Sequence, residues 1–368
     1  MLKVVALGLL FIHGLIHLLG FVQAFFPGTS GNIQQPISKP MGLLWLVAAL
    51  LLIGAGISLI LHKAYWLPLL AIAILLSQFL VFRYWPSAKF GSLLNSSLLL
   101  VLVLGYGRSR FDTMVEKDKN ALVGNVHKGS MMVQQSDLDS LPPIVGAWLI
   151  RSGIMGKRLS FAVSIEQVGR MRTKPDGKWM DFKASQVFRV DQPGFVWSVW
   201  VNAPWGLWLQ GRDMLKEGKG EMLIKALSIQ KVADAHGAET DQGSLMRYLA
   251  EMVWIPQSAI LPYIKWEAVN DTTARAILTT DGHTVTGDFQ FSREGDFLSF
   301  RGKRYYSRDN GATLEDWLVE VSPDGYREFN GLRLPAVCQV SWLLKEGKFH
   351  WLSLEVTDHL QITNLSKQ

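Results

Sequence analysis

Four long apolar runs, at 4–26, 41–61, 66–82 and 91–106, fill the first third of the chain and constrain everything after them. A helix needs roughly 20 apolar residues to cross the hydrocarbon core of a bilayer. The first three runs meet that length, and the fourth meets it once extended to Phe90 or Gly107. Hydrocarbon offers no partner to backbone N–H and C=O groups, so such runs are expected as spanning helices. The first run imitates a signal peptide, with Val22-Gln23-Ala24 as a cleavage site. It is too long for one, carries two histidines and precedes three similar runs. Trp66, Tyr84 and Trp85 stand where an interfacial aromatic belt is expected.

Four spans return the chain to the side on which it began. Lys3, Lys63, Arg108, Arg110, Lys117 and Lys119 then share one side, and Lys39, Arg83 and Lys89 the other. The positive-inside rule leans towards a multi-pass protein of the cell membrane with its remaining domain in the cytoplasm. The formal net charge of +6 suits a neighbour of anionic lipid. Its Lys and Arg are scattered and no nucleic-acid motif appears, so the bilayer is the expected partner and nucleic acid is not. One cysteine, Cys338, excludes an intramolecular disulfide framework and a thiolate metal cluster.

Within the first span, His13 and His17 form HGLIH, and the i, i+4 spacing puts both rings on one helical face. That geometry is compatible with a metal or haem. The alternative is a pair of neutral histidines bonded to Gln78 or Asn95, with Gly14 and Gly20 permitting close helix packing. No third ligand is evident, so the structural role is favoured and no resident cofactor is expected.

The divisions expected are a four-helix transmembrane domain at 1–110, a polar linker at 111–140 and a β-rich domain at 141–368. A short amphipathic helix is expected at 144–150, stopped by Gly153. From Leu159 the chain alternates strand-like runs with turn pairs: Asp281-Gly282, Glu294-Gly295, Asn310-Gly311, Asp324-Gly325, Asn330-Gly331 and Glu346-Gly347. Gly and Asn accept the positive φ that tight hairpins require. Roughly ten strands with no βαβ alternation make an antiparallel meander. One helical stretch interrupts it, 244–255, capped by Asp241 or Ser244 and ended by Pro256. Leu245, Leu249, Met252 and Val253 share a face, and Met246, Tyr248, Ala250 and Trp254 make most of the remaining circumference apolar. Such a helix is normally buried. The expected domain is a half-open barrel wrapped around this helix.

The segments IEQVGRMRTKPDGKWMDFKASQVF, GRDMLKEGKGEMLIK, LMRYLAEMVWIP, GKRYY and YREFNGLRLPA resemble an uncharacterised family of bacterial membrane proteins (domain of unknown function, 6544 type). The resemblance runs from LPPIVGAWLIRSG to the end of the chain. HGLIHLLGF and WPSAKFGSLLN are similar to the membrane part of longer members. It implies no activity and no catalytic residues. The strand-rich layout is similar to the half-barrels of bacterial lipoprotein carriers, an analogy of form.

Polar candidates for a site are few. Arg212 and Asp213 follow a glycine, Arg247 and Glu251 lie on the buried helix, and Arg304-Tyr305 ends a strand. Trp179, Trp197, Trp254 and Trp266 stand for a tryptophan-rich interior able to line a roomy apolar pocket. The function expected is a membrane-anchored binding protein for a lipid or other hydrophobic ligand. The alternatives are a hydrolase using Asp213, Glu251, Glu267 or Asp271, and a metal- or haem-binding protein using His13 and His17. GxSxG, HExxH and nucleotide-binding motifs are absent.

Overall fold

The computed structural model describes residues 2–26, 35–124, 126 and 130–362. Residues 125 and 127–129 of the expected linker, and 363–368 at the end of the β-rich domain, lie outside the described residues. The chain divides into two compact units, Met1–Phe111 and Asp112–Gln368.

The first unit contains α1 (Leu2–Phe25), α2 (Lys39–Ile60), α3 (Trp66–Arg83), the short α4 (Trp85–Ala88) and the start of α5 (Gly91–Val123). Four of these helices are long and apolar enough to cross a membrane. Large apolar side chains such as Leu75, Phe82 and Leu93 point outward, as lipid-facing residues do. α1 and α2 meet over small residues: a Cβ on Gly20 would fall 2.2 Å from the Trp45 ring. Close helix approach of this kind is how apolar helices gain packing where lipid is as greasy as they are.

α5 does not stop with its apolar run. It continues as one helix to Val123, through residues expected as linker. The reason is its second half, where polar groups find partners. Asp112 accepts from Gln210, Asp118 pairs with Arg212, and Lys119 donates to Ser185 at 2.8 Å. Val123 packs with Ala162 and Val187.

The second unit is organised by one sheet. Its strands are β3 (Ala162–Met171), β4 (Met180–Arg189), β5 (Gly194–Asn202), β6 (Trp208–Lys216), β7 (Lys219–Ala226), β8 (Gln230–His236), β9 (Ile264–Asn270), β10 (Thr273–Thr280), β11 (His283–Phe291), β12 (Phe297–Tyr306), β13 (Thr313–Val321), β16 (Val337–Leu344) and β17 (Gly347–Gln361). Two small two-stranded sheets stand apart, β1 (Ser130–Met132) with β2 (Arg158–Ser160), and the hairpin β14 (Tyr326–Phe329) with β15 (Leu332–Pro335). The large sheet has 13 strands in the order β8-β7-β6-β5-β4-β3-β17-β16-β13-β12-β11-β10-β9. Every neighbouring pair is antiparallel.

Two meanders therefore meet at the β3–β17 pair, and the chain passes from one free edge, β8, to the other, β9. The connection is α7 (Ala238–Glu251), prolonged by 3-10 turns at Met252–Trp254 and Pro256–Ile260. It touches β6, β7 and β8 on one wing and β11 and β12 on the other. The sheet is thus a half-open barrel curled around a buried helix. Leu245, Met246, Tyr248, Leu249, Met252 and Val253 are all buried. A sheet left without that helix would expose an apolar concave face.

α7 begins at Ala238, earlier than the expected cap. Asp241 does not cap it; its carboxylate accepts the Gly220 N–H of β7 at 2.7 Å and pairs with Lys219. Gly220 is a place of obligate close approach, because a Cβ there would lie 2.4 Å from the Thr240 carbonyl oxygen. α6 (Pro143–Arg151) sits over the β9–β12 wing, with the Trp148 ring near Trp266 and Phe291. Asp296 clamps its C-terminal end by pairing with both Arg151 and Arg333.

At the far end of the helical segment, buried His359 lies 2.8 Å from the Trp254 carbonyl oxygen through Nε2, which therefore donates. Burial lowers the His359 pKa below its ordinary 6.5, and hydrogen bonds only partly oppose the shift. A depressed folded-state value means stability that is complete above 6.5 and drains away as pH falls towards the folded value. Denaturant midpoints should thus drop between about pH 7.5 and pH 5.5. In His359→Gln, whose amide can serve the same carbonyl, that part of the drop should vanish. An unchanged slope in the variant would discard the assignment.

Candidate functional site

The period of two in β4 sends Phe182, Ala184, Gln186 and Phe188 to the concave side. Register then places Gln186 opposite Trp197 on β5, and Trp197 opposite Asp213 on β6. α7 lays Arg247 and, one turn later, Glu251 over this row. Arg247 donates to Asp213 at 2.8 Å, to Glu251 at 2.6 Å and to the Gln186 side-chain oxygen Oε1 at 3.2 Å. The Gln186 amide donates in turn to the other Glu251 oxygen at 2.6 Å. The guanidinium also lies 4.7 Å from the Trp197 ring centroid and 4.9 Å from that of Phe195.

From the opposite wing, Arg304 on β12 faces the same group. Its guanidinium lies 5.2 Å from the Trp317 centroid and rests on α7 at Gly243, where a Cβ would meet Nε at 3.3 Å. Among the described residues it has neither a hydrogen bond nor an ion pair. Burial holds the Arg304 pKa below the usual range, with Arg247 adding repulsion and Asp213 and Glu251 opposing. Burial pushes the Glu251 carboxyl up, against the pull of Arg247 and Gln186. For Arg247, burial works downward, but the charges of Glu251 and Asp213 outweigh it. Buried carboxylates need such a partner to stay charged.

The interior changes character along the strands. Towards one end Phe188, Phe195, Leu215, Phe297 and Phe300 are fully buried. Towards the other, the inward side chains Met171, Met180, Leu209, Tyr306 and Leu344 are only half-buried. The charged cluster lies between the two zones. The curled sheet is therefore filled at one end and incompletely covered at the other.

Of the residues singled out by sequence, Trp197, Asp213, Arg247, Glu251 and Arg304 come together. The others do not. Arg212 adjoins Asp213 in sequence but faces the outer side, paired with Asp118 and Glu221; neighbours on a strand point to opposite faces. For the same reason Tyr305 is turned out beside Arg304, with 36% of its surface exposed. Trp179 precedes β4 between Arg170, Arg172 and His350. Trp254 belongs to the filled interior and donates to the Pro335 carbonyl, whereas Trp266 is half-buried on the edge strand β9 and donates to the Ala259 carbonyl. Glu267 is exposed beside Lys265, and Asp271 is exposed in a turn. Asp213 and Glu251 do converge, but both are engaged by Arg247. Sequence reasoning missed Gln186 and Gln167, which accepts from the Trp197 indole at 2.9 Å. Each is a polar residue at an inward position of an alternating strand, and that was the available signal.

In the first unit, His13 Nε2 lies 2.9 Å from Asn95 Oδ1 and 3.0 Å from Ser77. Asn95 also donates to Gln78, which fixes its orientation. His13 therefore carries its proton on Nε2. His17 Nδ1 lies 3.1 Å from the His13 carbonyl oxygen and carries its own. This leaves lone pairs on His13 Nδ1 and His17 Nε2, both buried and, among the described residues, without a partner. Among the described residues no third His, Cys, Asp or Glu joins them.

Fold and site together define a class: four membrane-length helices followed by a half-open antiparallel barrel with a buried helix and an internal charged cluster. Within that class the chain belongs to a family of unknown function (DUF6544), whose model matches residues 131–354. No curated protein matches the chain. Among solved structures it is similar to a putative outer membrane lipoprotein-sorting protein domain from Vibrio parahaemolyticus, at 9% identity and a TM-score of 0.30, over 56% of this chain and 87% of that one. It is also similar to a DUF1329 family protein from Desulfovibrio piger ATCC 29098, at 12% identity and a TM-score of 0.31, over 56% and 88%. Likeness at that level adds nothing to the argument about function.

Proposed function

We propose that the protein is a membrane-anchored binding protein for a lipid or other hydrophobic molecule, held between the curved sheet and α7. The observation that supports this most directly is the half-buried row of apolar side chains at one end of an interior that is solid at the other. Interiors normally close-pack, and an incompletely covered apolar wall marks a binding surface. Trp197, Asp213, Arg247, Glu251 and Arg304 form the polar floor on this reading. Residues 1–110 serve as a multi-pass anchor in the cell membrane, and the β-rich part, 141–368, works on the cytoplasmic side favoured by the Lys and Arg distribution. Native mass spectrometry of the full chain, released from a mild neutral detergent, should show a retained hydrophobic molecule. Repeatedly adduct-free protein would discard the proposal.

A second reading rests on the two unpartnered imidazole lone pairs of His13 and His17, which suit a soft or borderline metal ion. Elemental analysis and a visible spectrum of the purified chain test it. Metal-free, colourless protein that also fails to take up added Cu(I) or Zn(II) removes it.

A further inference from the structure

Among the described residues, Arg304 is the one member of the internal charged cluster without an ion pair of its own. The cluster holds two guanidiniums and two carboxylates, yet Arg247 engages both carboxylates. Glu315, directly across from Arg304 in the β12–β13 register, turns instead to Arg308 at 3.0 Å. What Arg304 has is geometry. One side of the group is fixed by the Trp317 ring and the Gly243 backbone. Next along its inward row stands Tyr306, at the half-buried apolar end. A guanidinium presents a planar fork that matches carboxylate and phosphate oxygens two at a time. Held against the Trp317 ring and the helix backbone, it gains most from an anion that arrives with the ligand.

We infer that the ligand class is an anionic amphiphile whose carboxylate or phosphate head pairs with Arg304 while its chain lies along Met171, Met180, Leu209, Tyr306 and Leu344. This inference rests on the binding function proposed above and specifies the chemistry of its cargo. Arg247 is not the head-group residue, because its donors are committed to Asp213, Glu251 and Gln186. The carboxylates bound to Arg247 also sharpen selectivity: they repel an anion that comes in past Arg304, and so hold the head at the outer guanidinium.

The test uses the full chain in neutral detergent and four probes: oleate, oleyl phosphate, oleyl alcohol and inorganic phosphate. Tryptophan fluorescence reads binding. The wild type should bind oleate and oleyl phosphate about tenfold to a hundredfold tighter than the alcohol, the range expected for a charge-assisted pair. Inorganic phosphate at millimolar concentration should displace none of them, because the chain supplies the rest of the affinity. Arg304→Gln should bring the anionic probes down to the level of the alcohol. Arg304→Lys should keep part of the preference, which guards against a folding defect in the glutamine variant. Equal binding of oleate and oleyl alcohol by the wild type, or a preference that survives in Arg304→Gln, overturns the head-group assignment and leaves the hydrophobic-binding proposal standing. Displacement by inorganic phosphate alone overturns it in favour of a free-anion site. Failure to bind any oleyl probe overturns both.

Discussion

Arg247→Met should destabilise the protein by about 3–5 kcal/mol, the range seen when one partner of a buried ion pair is removed. The loss does not measure what the ion pairs contribute. It reflects the cost of leaving Asp213 and Glu251 charged and unpaired inside the barrel, where each would otherwise need hydration. The removal of the cation from the faces of Trp197 and Phe195 adds about 0.5–2 kcal/mol. The decisive comparison is the triple variant Arg247→Met, Asp213→Asn, Glu251→Gln. Neutral amides keep the shapes and hydrogen bonds available to Gln186, so most of the lost stability should return. Denaturant unfolding of the full chain in micelles, followed by tryptophan emission, supplies both numbers. Arg304 senses both carboxylates, so adding Arg304→Gln to the single variant should deepen its loss by closing a route of rescue. A cost below about 1 kcal/mol for Arg247→Met would mean that water already reaches the carboxylates, as at an exposed ion pair.

Much of this arrangement was legible in the sequence, for reasons that differ from element to element. The spans were readable because hydrocarbon imposes length and apolarity together. The helix at 244–255 was readable because apolar residues cover most of its circumference, as is normal for a buried helix. Hairpins at Asp281-Gly282 and Asn330-Gly331 announced themselves through residues that accept positive φ, and both pairs adopt it. The β7–β8 hairpin turns on Leu227 and Ser228, also at positive φ, with no such signature. Its support is tertiary: Ser228 accepts from the Trp208 indole at 2.8 Å. The second half of α5 was equally hidden, because its polar residues are satisfied by β4 and β6 and not by water. The site divided along the same line. Pairing of Arg247 with Glu251 follows from helical spacing alone. Their meeting with Asp213, Gln186 and Arg304 depends on a register linking strands far apart in sequence, and a one-residue slip would reverse every face. That is why Arg212 and Tyr305 were grouped with residues from which the strand pleat separates them.

Trp254→Ala should cost about 3–5 kcal/mol, whereas Trp254→Phe should cost about 1–2 kcal/mol. The indole is buried among the core residues that close the filled end of the barrel. Truncation to alanine leaves a void that backbone held in hydrogen-bonded strands cannot collapse to fill, so a cavity term adds to the lost transfer energy. Phenylalanine fills most of that space and gives up chiefly the bond to the Pro335 carbonyl. The pair of variants also separates the two zones of the interior. If ligand occupies the half-buried end, beyond the charged cluster, then Trp254→Phe should weaken folding slightly and leave the affinity for oleate unchanged. Leu344→Ala, at the half-buried end, should do the reverse, with a stability loss smaller than that of Trp254→Ala and oleate binding clearly weakened. Equal effects of the two substitutions on binding would mean that the barrel is one continuous core, in which the gradient of burial along the strands has no functional counterpart.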